Sequence, residues 1–162
     1  MTEEKGDRII FADARCSLRF ESVEAKKIRP LYPIVAIRII RLGTVRAANE
    51  GLRIGTVRRP PRGVPKSQFS SGNWYDVWFP NLAPSAETVK LALHAESTQQ
   101  WAAFVKRYRA EMAQPENNRV LDLLAALSHK SNFSMGCYCE DEARCHRSIL
   151  RELLQDRGAE VL

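Results

Sequence analysis

The stretch NFSMGCYCEDEARCHRSILRELLQD, residues 132–156, carries the clearest structural signal in the chain and most of its chemically distinctive side chains. Its first part, NFSMGCYC (132–139), is a short apolar run that predicts a strand. Its last part, CHRSILRELLQD (145–156), has apolar positions at helical spacing and predicts an amphipathic helix. These positions are Ile149, Leu150, Leu153 and Leu154. A strand, a short loop and a helix in this order are typical of α/β proteins.

Upstream of this unit the sequence predicts two more strands, a long loop and three helices. IVAIRIIRL (34–42) and LRIGTVRR (52–59) are rich in β-branched residues, as strands are. The segment after them, through residue 85, is rich in proline, glycine and aromatic residues and predicts an irregular loop whose aromatic side chains anchor it to the core. The predicted helices cover 86–94 with Ser85 as cap, a segment from the capping box Ser97–Gln100 to Pro115, and 119–130.

This order of elements favours an α/β fold, with a small mostly parallel sheet and flanking helices in a Rossmann-like layered sandwich. Residues 1–33 predict a partly irregular N-terminal extension, because EAKKIRPLYP ends in prolines that interrupt regular structure. Residues 34–162 then form a single α/β domain. Ligands of such sheets bind outside the carboxyl ends of the strands, so we expect the site near residues 139–147.

The composition narrows the class of protein. A chain of 162 residues with 44% hydrophobic and 27% charged residues suits one globular domain. No apolar run approaches the roughly 20 residues that cross a bilayer, and the polar start MTEEKGDR is unlike a secretory signal. We therefore expect a cytoplasmic protein without a membrane partner. Four cysteines are too few for a disulfide scaffold, and three of them bunch together, which indicates reactive thiols or a site.

The charge favours an anionic partner. The formal net charge is +6, and residues 51–75 contain no acidic residue. The basic residues of that segment are Arg53, Arg58, Arg59, Arg62 and Lys66. Such a segment is consistent with a solvated basic loop or with a surface that attracts a phosphate-bearing partner such as a nucleotide or nucleic acid.

The motif CYCEDEARCHR (137–147) supports a metal-site interpretation. Side chains two apart on a strand share a face, so Cys139 lies beside Cys137, and Cys145 and His146 return at the start of the helix. Thiolate and imidazole ligands suit zinc or iron, which makes Cys139, Cys145 and His146 the candidate metal ligands. The spacing is unlike a standard zinc finger, and for Cys137 we expect the role of a buried core residue.

The same motif also supports a reactive-thiol interpretation. Cys145 precedes a helix and is flanked by arginines, an environment that stabilises a thiolate. Cys145 and His146 are therefore the candidate catalytic residues. Cys139 could attack Cys145 or resolve it by forming a disulfide.

An anion-binding interpretation is the third. The helix N-terminus offers free backbone N–H groups, and Arg147 could bind a phosphate through two nitrogens. Arg58 and Arg62 could converge on the same anion from the neighbouring strand end, and Glu140 completes the predicted ligand-binding set. Acidic residues 140–142 could instead complement the helix N-terminus or hold Arg144 in place.

Several ordered motifs resemble one known family. They are PRGVPK (61–66), WFPNLAPSAE (78–87), the spaced Trp, Phe, Tyr and Glu of 101–111, and CxE followed by CHR. Together they resemble the bacterial and archaeal family named domain of unknown function 488, over residues 35–156. The resemblance implies a compact α/β domain without a settled activity. It also implies that the polar members of the shared positions surround one cleft. Those positions are Arg58, Arg62, Gly63, Leu82, Pro84, Ser85, Trp101, Phe104, Tyr108, Cys139, Glu140, Cys145, His146 and Arg147.

The sequence departs from the family pattern at two positions. Pro60 stands where many relatives carry tryptophan, and Val57 stands where many carry an aspartate, so an acid–base role of that aspartate does not transfer to this chain.

Three functions follow from these observations. The first is binding of a phosphate-bearing ligand in a cleft between the PRG loop and the CxE…CHR motif. The alternative is a thiol- or metal-dependent enzyme that uses Cys139, Cys145 and His146. The third is a non-catalytic structural or interaction protein, in which replacing Arg58 and Arg147 would cost stability and no binding.

Overall fold

The computed structural model describes residues 35–162, which form a four-stranded parallel sheet with flanking helices. The strands are β1 (Ile37–Arg41), β2 (Leu52–Gly55), β3 (Val77–Trp78) and β4 (Phe133–Cys137), in the sheet order β1-β4-β2-β3. The predicted small α/β fold is therefore confirmed. The predicted extension over residues 1–33 lies outside the described residues.

The position of β4 explains its sequence. Although it is the last strand along the chain, it pairs with both β1 and β2, and all five of its residues are buried. A parallel strand covered on both faces has no solvent-facing positions. Its apolar and small residues therefore form a continuous run and do not alternate with polar ones.

Four α-helices accompany the strands in this part of the chain. They are α1 (Ala86–Leu93), α2 (Thr98–Met112), α3 (Pro115–Leu127) and α4 (His146–Gln155). Ser85 caps α1, and Ser97 with Gln100 forms the predicted capping box at α2. The prediction that α3 begins at residue 119 is wrong: Pro115 is its first residue, where a missing N–H costs nothing.

The predicted loop between β2 and α1 contains regular structure that the sequence did not indicate. Val77 and Trp78 form the short strand β3 and pair with the end of β2, and two 3-10 turns cover Lys66–Gln68 and Pro80–Leu82. As predicted, aromatic side chains anchor this segment. Tyr75 is buried, and Trp74 packs beside it against the carboxyl ends of the strands.

The main hydrophobic core lies where α2, α3 and α4 meet β1 and β4. Phe104 and Tyr108 of α2, Leu121 of α3 and Leu150 of α4 are almost fully buried there. A smaller cluster, with Leu42, Val57, Tyr75, Cys137 and Cys145, lies at the carboxyl ends of the strands. This smaller cluster therefore covers the carboxyl ends of β1, β2 and β4.

A buried ion pair stabilises the opposite part of the sheet. Both carboxylate oxygens of Glu50 accept hydrogen bonds from Arg53, at 2.7 and 2.9 Å, and Ser134 of β4 donates to the same carboxylate at 2.6 Å. Burial by itself raises the pKa of Glu50, but the hydrogen bonds from Arg53 and Ser134 outweigh it and lower the pKa to about 2. The pair joins β2 to β4.

None of the helices between residues 35 and 162 has the length and apolar composition that a membrane-spanning segment needs.

Candidate functional site

A cleft of about 1090 Å³ opens at the carboxyl ends of β1, β2 and β4. Parallel α/β sheets place their ligand sites at this edge. The walls are formed by residues 41–44 at the end of β1, residues 57–62 after β2, one side of α1, and residues 137–139 and 144–146 between the end of β4 and the start of α4. The cleft thus lies between the PRG loop and the cysteine motif, and of the predicted site residues Arg58, Arg62, Cys139, Cys145 and His146 line it.

The lining of the cleft is strongly basic. Six cationic side chains and no carboxylate contribute to it: Arg41, Arg58, Arg59, Arg62, Lys90 and Arg144. Arg41 forms an ion pair with Glu140, which is not one of the lining residues. In contrast, Arg59, Arg62 and Lys90 are exposed and form no ion pair with any other residue in 35–162.

Three cysteines meet at the floor of the cleft. The Sγ atoms of Cys137, Cys139 and Cys145 all lie within 4.8 Å of one another, and those of Cys137 and Cys139 are 3.6 Å apart. Cys137 ends β4, and Cys145 is the residue immediately before α4. Cys137 is buried, as a core residue would be, but its thiol also belongs to this cluster. Cys139 is exposed to the cleft.

The three thiols differ in acidity because a hydrogen bond between two of them stabilises the thiolate of the acceptor and disfavours ionisation of the donor. Hydrogen bonds from the Cys137 thiol and then from the Cys145 thiol, together with the charge of Arg147, hold the pKa of Cys139 well below its ordinary value. The same contacts and burial raise the pKa of Cys137. The hydrogen bond from Cys137 lowers the pKa of Cys145, and His146 acts in the same direction. The cluster therefore favours a thiolate at the exposed position.

His146 is held in one orientation beside Cys145. Its Nε2 lies 2.9 Å from the carbonyl oxygen of Thr56, which can only accept, so Nε2 carries the proton. Nδ1 then faces the Sγ atom of Cys145 at 3.7 Å. The ring also packs edge-on against Tyr108, with centroids 5.6 Å apart. His146 can therefore exchange a proton with Cys145 without rotating.

Arg147 lies under the cleft and does not line it. Only 3% of it is exposed, and its Nη2 donates to the carbonyl oxygen of Cys139 at 2.8 Å. Its Nε is buried without a partner, and it forms no ion pair with a carboxylate of residues 35–162. Its partners in the structure are thus backbone carbonyls of the cysteine loop, where the sequence predicted an anion.

Of the other predicted ligand-binding residues, Arg58 and Arg62 line the cleft and Glu140 does not. Arg58 donates from Nε and Nη2 to the carbonyls of Ala83 and Pro84, so most of its guanidinium fixes the segment before α1. Arg144 donates to the carbonyl of Ala95 and stacks over the Trp101 ring at 4.9 Å.

The sequence did not indicate several residues of the cleft. Lys90 and Ala92 reach it from α1, and Phe104 from α2, because helix packing brings those faces to the sheet edge. Thr56, which fixes His146, was part of a predicted strand with no distinguishing signal. The spacing of two residues predicted that Cys137 and Cys139 lie together, although Cys137 was expected to be only a core residue.

Fold and site together define a small parallel α/β domain with a basic cleft and a three-thiol cluster at the carboxyl ends of its strands. The family model DUF488-N3a, described as the active DUF488-N3 subclade, matches residues 37–158. The chain therefore belongs to the DUF488 family, which confirms the resemblance of its motifs. No curated protein and no solved structure matches it.

Proposed function

We propose that the protein binds a phosphate-bearing small molecule, of the size and kind of a nucleotide, in the basic cleft. The observation that carries this proposal is the lining itself, which has six cationic side chains and no carboxylate. A concave surface of one charge sign with low-dielectric walls concentrates its field and attracts oppositely charged ligands.

The uncompensated cations support phosphate as the recognised group. Arg59 and Arg62 stand on the same loop, at the mouth of the cleft, and form no ion pair with residues 35–162. Guanidinium groups bind phosphate through two parallel N–H···O bonds. Lys90 on α1 adds a point charge from the facing wall. A phosphate between these walls would satisfy donors that now face solvent.

The apolar part of the lining supports a nucleoside beside the phosphate. The rings of Trp74 and Tyr138 lie in the lining and meet edge to face, with centroids 5.7 Å apart. Pro60 and Pro61 contribute further flat apolar surface. Bases stack on such surfaces with little dependence on sequence. The cleft volume of about 1090 Å³ lies just above the range of about 300–1000 Å³ for small-molecule sites, so the cleft has room for a nucleotide.

Calorimetric titration with AMP, ADP, ATP and inorganic phosphate tests the proposal. We expect binding of at least one nucleotide, weakened about 10- to 100-fold in Arg62→Gln, because a charge-assisted hydrogen bond contributes about 1.5–3 kcal/mol. Arg119→Gln is the matched control, since Arg119 is exposed on α3 outside the cleft.

Two results would contradict this proposal. Equal affinities of the two variants would show that the cleft does not hold the anion. Tight binding of a single-stranded oligonucleotide, with affinity falling steeply as salt rises, would replace the small ligand with nucleic acid.

A second candidate function is an enzyme that uses the cysteine cluster through a thiol or a metal. It is favoured by the position of Cys139, Cys145 and His146 in the lining of the same cleft, and the matched subclade is described as active. In this case Cys145→Ser should abolish turnover of a bound nucleotide while leaving its binding intact. Unchanged turnover in that variant would exclude a catalytic role of this cysteine.

A further inference from the structure

We propose that Cys137, Cys139 and Cys145 bind one Zn²⁺ ion through their Sγ atoms, with the fourth coordination position open to the basic cleft. This site goes beyond ligand binding in the cleft and does not depend on it. The ligand set differs from the one expected from sequence, because Cys137 takes the place of His146.

The spacing of the thiols supports a tetrahedral ion. A Zn–S bond of about 2.3 Å places two sulfur ligands about 3.8 Å apart in tetrahedral geometry. The Sγ atoms of Cys137 and Cys139 are 3.6 Å apart, and all three Sγ atoms lie within 4.8 Å of one another. Shifts of side-chain torsions alone would therefore bring the three sulfurs around one ion.

The backbone holds these ligands in place. Cys137 is the last residue of the central strand β4, and Cys145 directly precedes α4. The loop between them is fixed by Arg147, which donates to the carbonyl of Cys139 at 2.8 Å. Ligands on rigid elements with a supporting layer of hydrogen bonds bind metals more tightly than ligands on free loops.

The buried charge of Arg147 is an independent observation that points to thiolates. This guanidinium is 3% exposed, its Nε has no partner, and no carboxylate of residues 35–162 pairs with it. A buried charge requires a counter-charge, and thiolates of the neighbouring cluster are the groups that can supply it. Three thiolates and one dication carry a net charge of about −1, which the single positive charge of Arg147 would balance.

His146 would assist as a positioning residue. Its Nε2–H is fixed on the carbonyl of Thr56, and Nδ1 faces the Sγ of Cys145 at 3.7 Å. Metal binding releases protons from thiols, and the fixed ring of His146 keeps its Nδ1 against the Sγ of Cys145. Thiolates also select zinc over the hard cations magnesium and calcium.

The open position gives the ion a link to the cleft. All three cysteines contribute to the lining, and Cys139 is exposed there. Three protein ligands with a fourth position left to water or substrate is the arrangement of catalytic zinc sites, whereas structural sites use four protein ligands.

Titration of the untagged, chelator-stripped and reduced protein with Co²⁺ and then Zn²⁺ tests the site. We expect one equivalent of Co²⁺, a near-ultraviolet thiolate-to-cobalt charge-transfer band, and displacement of the cobalt by zinc. Cys139→Ser should weaken zinc binding more than about 100-fold, since even loss of an outer partner of a ligand costs 10- to 100-fold. Arg119→Gln, exposed on α3 outside the cleft, is the control and should bind zinc as wild type does.

Three results would overturn the proposal. They are no binding by wild type, a cobalt spectrum without a charge-transfer band, and equal zinc affinity in Cys139→Ser. Because Cys139 is exposed, the variant should fold, and the circular dichroism of both metal-free proteins checks that it does. The wild-type titration decides the question even if the variant does not fold. Nucleotide binding is measured separately, so either proposal can fail alone.

Discussion

Arg147→Met tests how far the buried charge of Arg147 supports zinc binding by the cysteine cluster. The methionine keeps most of the apolar stem and removes the guanidinium, which is buried, donates to the carbonyl of Cys139, and has no carboxylate partner within residues 35–162. The effect on unfolding should depend on whether zinc is bound, because zinc requires all three cysteines as thiolates and the positive charge of Arg147 stabilises them.

The magnitudes follow from the contacts. Without zinc, losing the hydrogen bond to Cys139 costs about 1.5–3 kcal/mol, while removing a buried ion whose desolvation costs several kcal/mol offsets that loss. We expect the two effects nearly to cancel, to within about 1 kcal/mol. With zinc, the variant also loses the charge that balances the cluster. A supporting partner of a metal site contributes 10- to 100-fold in affinity, or about 1.4–2.8 kcal/mol.

Urea denaturation of wild type and Arg147→Met, each with and without saturating zinc, measures both quantities. The free energy that zinc adds should be about 1.4–2.8 kcal/mol smaller in the variant. Arg151→Met is the matched control on the same helix. Its ion pair with Glu142 is partly exposed, so the substitution should cost about 0–1 kcal/mol equally in both conditions. An equal zinc contribution in wild type and Arg147→Met would refute the charge-balance argument.

Three other substitutions test the fold around the cleft. Glu50→Gln leaves the Arg53 charge buried and should cost about 3–5 kcal/mol in urea. Because folding lowers the pKa of Glu50 from 4.5 to about 2, this stabilisation is complete above pH 4.5 and is lost toward pH 2, so the urea midpoint should fall less steeply in the variant. Tyr108→Phe leaves a buried carbonyl unpaired and should cost about 1–3 kcal/mol by thermal unfolding. Gly55→Ala would place a Cβ 2.4 Å from Tyr75 and should cost about 1–3 kcal/mol. Wild-type stability in any variant contradicts the corresponding contact.

The elements that could be predicted are those whose burial imposes a long regular pattern. The unit β4–α4 follows from one apolar run and one helix face, because a central parallel strand has no exposed positions and α4 has a single buried side. The strand β3 could not be predicted in the same way. It has two residues, both exposed. They form a strand only because they pair with Ile54 and Gly55 on the edge of β2. Pro115 was misread because proline is compatible with both a helix end and a helix start.

The candidate site could be predicted only where spacing along the chain determines proximity. Cys139 and Cys145 meet because a strand end and a helix start enclose a short loop, and Cys137 joins them by the two-residue period of a strand. Arg58 binds the backbone carbonyl of Ala83, which lies far along the chain, and Arg147 binds that of Cys139 in the loop before α4. Backbone carbonyls leave no mark on a sequence, so no pattern distinguishes an arginine that binds them from one that binds an anion.

The cationic cleft and the thiol cluster interact electrostatically. A positive potential stabilises thiolates at the floor and an anionic ligand above them, but uncompensated thiolates would repel that ligand. With zinc bound, the three thiolates of Cys137, Cys139 and Cys145 and the dication would carry a net charge of about −1, and the buried Arg147 would cancel most of it. The exposed charges of Arg59, Arg62 and Lys90 would then be free to act on a phosphate. The arrangement of buried and exposed cations thus accommodates a metal-bound cluster and an anionic ligand in the same cleft.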